Sequence, residues 1–125
     1  MSTVRMTSNE DNPQVKDVYQ DIRDSRNTKY IGNFWRYLAF DPFLLKNVWN
    51  DVKNLMVKET QIDKKTKEMI YMAVSITNNC SYCTHSHTAS AKKLGMTLEE
   101  HSEFLSIVGL AAKTNQIVNG LQVPI

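Results

Sequence analysis

Glycine and proline are scarce in this 125-residue chain, at four and three copies, which excludes collagen-like and low-complexity architectures. No apolar run approaches the roughly 18–20 residues needed to span a bilayer, and the opening segment Met1 to Thr7 lacks the apolar centre of a signal peptide. An excess of charge of one sign is also missing. Lys and Arg number 15 against 13 Asp and Glu, a net charge of +2 mixed along the chain, so no field draws the protein onto nucleic acid or an anionic membrane. The expectation is a soluble cytoplasmic protein with neither of those partners. Cysteine occurs only twice, as Cys80 and Cys83. In a reducing compartment that pair points to redox chemistry or metal binding, not to a structural staple.

What is present suits a packed fold. With 42% hydrophobic residues the chain is too apolar for disorder, and its length matches the roughly 100–150 residues of one domain. Residues 1–11 are polar and aperiodic and read as a flexible arm, 12–120 as the folded domain and 121–125 as a tail.

Helix signals divide the domain. Asn12-Pro13 predicts an N-cap and first turn, followed by Val15, Val18, Tyr19 and Ile22 at helical spacing. The short apolar run Phe34 to Phe40 is read as a second helix. Asp41-Pro42 opens a third, with an apolar stripe from Leu44 through Met56. A fourth begins at Asp63 and becomes apolar on nearly every face over Met69 to Ile76, which predicts a central position. Asn78-Asn79 suits a left-handed helix end, and Cys80-x-x-Cys83 opens the next helix, stopped by Gly95. Thr97 to Glu100 is a capping box for a last helix through Phe104, Leu105, Val108, Ala111 and Ala112 toward Gly120. With no hairpin pattern of alternating segments, the expected class is all-α, a single-domain bundle of about six helices.

The chemistry-bearing residues fall on two of these helices. Intervals of three and four place Cys80, Cys83 and His87 on one helix face. A thiol at a helix N-terminus is stabilised as thiolate by the dipole and by unpaired N–H groups. His87, one turn beyond Cys83, is placed to take its proton. Glu68 is the acid that could orient His87. It lies about 15 Å before the Asn78-Asn79 turn and His87 about 12 Å after it at the helical rise, so an antiparallel pair of helices brings them level. Partial burial of Glu68 is expected from its apolar neighbours.

The pattern E-x11-C-x2-C-x3-H, here Glu68, Cys80, Cys83 and His87, resembles the signature of the alkylhydroperoxidase D-like group of the carboxymuconolactone decarboxylase superfamily, over a stretch from about Gly32 to Thr97. The resemblance implies an all-helical thiol peroxidase or disulfide reductase. Cys83 would attack the peroxide, Cys80 would resolve it, and Glu68 with His87 would relay the proton. No cofactor beyond the redox-active disulfide is implied; an external dithiol, such as a dihydrolipoyl group on a partner protein, would reduce it. The resemblance further implies a homo-oligomer, from dimer or trimer to hexamer. One residue departs from the pattern: Tyr82 stands where hydroperoxidase members often carry histidine, and a phenol does not replace an imidazole as a base at neutral pH.

Two other functions fit these residues. Cys80, Cys83 and His87, with Glu68 or His101 as a fourth ligand, could form a zinc site in a domain without turnover. Glu68 and His87 alone could serve a non-redox decarboxylation, although the decarboxylase members generally lack the cysteine pair. His85 and His101 read as surface residues. Trp35, Trp49, Tyr37, Met56, Met69 and Met72 read as packing, and Lys64, Lys65 and Lys67 as a solvated face.

Overall fold

The structure, a computed structural model, describes residues 1–7 and 10–125; Ser8 and Asn9, inside the arm expected over 1–11, lie outside the described residues. Among the described residues there are six α-helices and no strand. They are α1 (Pro13–Arg26), α2 (Asn33–Leu38), α3 (Pro42–Val52), α4 (Lys64–Thr77), α5 (Ser81–Lys93) and α6 (Leu98–Leu121). The all-α class read from the sequence is the class observed. By compactness the chain forms two units, Met1–Thr60 and Gln61–Ile125.

In the first unit the caps act as the sequence suggests. The Asn12 side chain accepts from the N–H groups of Gln14 and Val15 at 2.9 and 3.3 Å, and Asp41 accepts from Phe43 and Leu44, both at 3.1 Å. The stripe Val15, Val18, Tyr19 and Ile22 is buried together with Trp35, Leu45 and Trp49. Each such large side chain stabilises the fold by about 1.5–3 kcal/mol through burial alone. The rings of Trp35 and Trp49 meet edge to face at 5.5 Å. Asp21 on α1 accepts from Trp49 Nε1 at 2.7 Å and from Lys53 Nζ at 2.7 and 2.9 Å.

One feature differs from expectation here. The regular helix expected through Met56 stops at Val52 and continues as a π-helical turn, Lys53–Val57, closed by the Lys58 N–H on the Lys53 carbonyl at 3.1 Å. The widened turn begins at the residue whose side chain is tethered to Asp21. The N-terminal segment also makes attachments: Thr7 N–H donates to the Arg36 carbonyl at 3.2 Å, and Glu10 pairs with Arg23 at 2.7 Å.

The second unit is built on α4 and α5, with Met72, Ala91, Met96 and Phe104 as its buried core. The expectation that α4 is buried on nearly every face is not met in the single chain. Met72 and Ser75 are buried, whereas Ile70 is 50% and Val74 54% exposed. The reason is that α4 packs mainly against α5, and one antiparallel neighbour covers one side. Helix α6 is likewise covered on little of its surface. Phe104 is buried, but Leu105, Ala111 and Ala112 lie exposed, as do Ile107, Leu110, Ile117 and Leu121.

Candidate functional site

The turn between α4 and α5 sets the geometry of the site. α4 opens with Asp63, whose carboxylate accepts from the Thr66 N–H at 3.0 Å and the Thr66 hydroxyl at 2.7 Å. It closes through Asn79, which takes the left-handed conformation at φ 56°. The Asn79 N–H then reaches the Ile76 carbonyl at 3.2 Å and the Cys80 N–H reaches the Ser75 carbonyl at 2.9 Å. Cys80 therefore has two duties. Its backbone finishes α4 while its side chain caps α5, Sγ accepting the Cys83 N–H at 3.4 Å.

This tight reversal runs α5 back along α4. Nδ1 of His87 lies 2.5 Å from Oε2 of Glu68, so the carboxylate expected to come level with the imidazole does so. Both side chains are sheltered, with 21% of His87 and 14% of Glu68 exposed. A carboxylate accepts only, so Nδ1 donates, and the neutral imidazole presents its lone pair at Nε2. Cys80 and Cys83 are both free thiols at intermediate depth. The structure thus places Glu68 on α4, Cys83 and His87 on α5 and Cys80 at the cap that opens α5, with Glu68 and His87 in direct contact.

The two sulfurs are electrostatically unequal. Burial, followed by the neighbouring Cys80 sulfur, pushes the Cys83 thiol up to about 11. Cys80 is held below the ordinary thiol range by the hydrogen bond from the Cys83 side chain and next by the Cys83 backbone N–H. Of the two, Cys80 is therefore the thiol that ionises more readily. The cause is placement: Cys80 is the cap that receives the helix N–H, while Cys83, three residues inside, is more enclosed. Cys83 needs a base before it can attack.

His85 is exposed and His101 lies beside Phe104, with ring centroids 6.5 Å apart. Tyr82 is 50% exposed. Among the described residues no three side chains of His, Cys, Asp or Glu converge to hold a metal ion, so the four residues do not assemble as the zinc ligand set considered from the sequence. One neighbour went unnoticed in the sequence. Tyr71 stacks on His87 with centroids 3.8 Å apart and planes inclined by 22°. The available signal was its spacing, three residues after Glu68 on the same helix.

Comparison with known proteins places the family and the fold. The family model described as "Carboxymuconolactone decarboxylase family" matches residues 44–124. The crystal structure of an alkylhydroperoxidase AhpD core from Rhodospirillum rubrum is 50% identical and superposes with a TM-score of 0.95, over 100% of this chain and 94% of that one. An uncharacterized protein of Bacillus subtilis, YdfG, is 40% identical over 40 residues, which span 32% of this chain and 27% of that protein. With the family model covering residues 44–124 and the half-identical Rhodospirillum rubrum core superposing over the whole chain, this protein belongs to the carboxymuconolactone decarboxylase family and is alkylhydroperoxidase D-like.

Proposed function

We propose that this protein is a thiol-dependent peroxidase acting on organic hydroperoxides through the Cys80–Cys83 pair. The observation that carries the reading is the 2.5 Å contact between Glu68 and His87, one turn from a partly buried thiol whose pKa is raised to about 11 and which needs a base at neutral pH. The likeness to the Rhodospirillum rubrum alkylhydroperoxidase core supports it.

The steps balance as follows. Cys83 sulfur attacks the outer peroxide oxygen, the O–O bond breaks, and the thiol proton passes through His87 to the departing alkoxide, which leaves as an alcohol. Glu68 stabilises the imidazolium formed in passing. Cys83 is left as a sulfenic acid. Cys80, the readier thiolate of the pair, attacks that sulfur, the S–O bond breaks, and water departs as the disulfide closes. A dithiol, such as a dihydrolipoyl group borne by a partner protein, restores both thiols by two exchange steps and is itself oxidised to a disulfide.

The same proposal includes assembly and location. The apolar side chains left exposed on α4 and α6 favour a homo-oligomer, because surface of this kind is stabilised when a partner removes it from water. Two cysteines confined to one C-x-x-C, with no further pair for a structural staple, fit a reducing compartment, the cytoplasm. No helix of the described residues is long and apolar enough to cross a membrane.

Intact mass under non-reducing conditions, before and after tert-butyl hydroperoxide, tests the chemistry. The wild-type chain is expected to lose two hydrogens. Cys80→Ser, in which a hydroxyl can still cap α5, is expected to gain one oxygen on Cys83. Consumption of peroxide by Cys83→Ser at the wild-type rate overturns the assignment of the attacking sulfur. Stoichiometric zinc that blocks both thiols would replace the redox reading with a metal site, and thiols inert to peroxide would favour decarboxylation through Glu68 and His87.

A further inference from the structure

A carboxylate hydrogen bond at one ring nitrogen does not by itself orient a histidine. The ring can still swing about the N···O direction, and the torsion that turns it is broad. In this structure a second group closes that freedom. Tyr71 lies on α4 three residues after Glu68, on the same side of the helix, and its ring covers one face of the His87 imidazole at 3.8 Å with the planes inclined by 22°. Glu68 thus holds an edge of the ring and Tyr71 a face.

Tyr71 is not a core filler. It is 39% exposed, while its chain neighbour Met72 is fully buried. Its packing is directed at the imidazole, at the rim of the site. We propose that Tyr71 is a positioning residue: by stacking on His87 it keeps Nδ1 on Glu68 and fixes the direction of the Nε2 lone pair. This rests on reading Glu68 and His87 as the proton relay of the proposed peroxidase. Tyr71 touches no reacting atom, and its effect is transmitted through the orientation of a base.

The test uses the full chain, reduced, with two readouts. In the NMR spectrum of the wild type, the His87 ring protons are expected upfield of those of His85, because they lie over an aromatic face. Tyr71→Leu, which fills space without a ring, loses that shift and slows oxidation of Cys83 by tert-butyl hydroperoxide by about tenfold or more, the scale of a misplaced catalytic group. Tyr71→Phe restores both, since the ring and not the hydroxyl is used. Circular dichroism confirms that the variants fold. A wild-type His87 without the upfield shift overturns the proposal, as does a Leu variant oxidised as fast as wild type. Thiols untouched by peroxide in the wild type would sink the peroxidase reading instead, and the ring signals, which need no turnover, would still decide the placement of His87.

Discussion

Oε2 of Glu68 and Nδ1 of His87 are 2.5 Å apart although nineteen residues separate them in the chain. Two facing helices joined by a two-asparagine turn hold them there. The contact binds the proton chemistry of the site to the geometry of the hairpin, so changes to either should be felt in the other.

Glu68→Gln keeps the shape and a hydrogen-bonding oxygen but removes the charge that stabilises an imidazolium. Oxidation of Cys83 by tert-butyl hydroperoxide, followed in stopped flow as loss of free thiol, should slow by about ten- to a hundredfold, within the range of general acid–base contributions. An unchanged rate would remove Glu68 from the relay.

The thiols should separate by pH. The thiolate is the reactive form, so a lowered pKa brings reactivity to lower pH and a raised one defers it. Peptide mapping after brief iodoacetamide treatment should find Cys80 modified below the pH at which an ordinary thiol reacts, and Cys83 spared until the pH approaches about 11. In Cys80→Ser the neighbouring sulfur no longer adds to the rise, and Cys83 should react at lower pH than in wild type. Modification of Cys83 before Cys80 in the wild type would contradict the resting order.

Asp21 gives an acid-sensitive element of stability. The hydrogen bonds from Lys53 first and Trp49 second hold its carboxyl below the usual carboxylate range. A depressed native value means that the contribution is complete above the unfolded-state pKa and is lost as pH falls through the native one. Since 39% of the side chain is exposed, screening keeps the ion-pair part small, and Asp21→Asn should cost only about 1 kcal/mol near neutrality. Urea titrations should show that gap closing as the pH falls below the usual carboxylate range. A gap that persists in acid would assign the effect to packing.

Met72, fully buried between the helices of the second unit, couples stability to the site. Met72→Ala should destabilise by about 2–5 kcal/mol, and Met72→Leu, which conserves volume, by under about 1.5 kcal/mol. Thermal or urea denaturation measures both. Equal costs would mean that the cavity term is absent and the site collapses freely.

Much of the local structure is legible without coordinates because its causes are local. Asn12, Asp41, Asp63 and Thr97 cap the helices they precede, and Gly95, at φ +95°, ends α5 where a left-handed residue is required. Intervals of three and four alone put Cys80, Cys83 and His87 on one face. Helical rise alone predicts the level of Glu68, because a short turn leaves one way to fold back. Burial on α4 and α6 was not legible: the same apolar residues suit a core or an uncovered face, and only the arrangement of neighbours distinguishes them. The π turn at Lys53 was hidden for a like reason, since its stripe continues the α-helical spacing.

By itself the sequence determined which capping residues open most of the helices and which chemical groups share a helical face, since these follow from bonds and side chains a few positions apart. Tertiary structure decided that Cys80 ionises more readily than Cys83, and that Tyr71 lies on His87. Both depend on desolvation and on contact across α4 and α5, quantities set by what surrounds an atom in space.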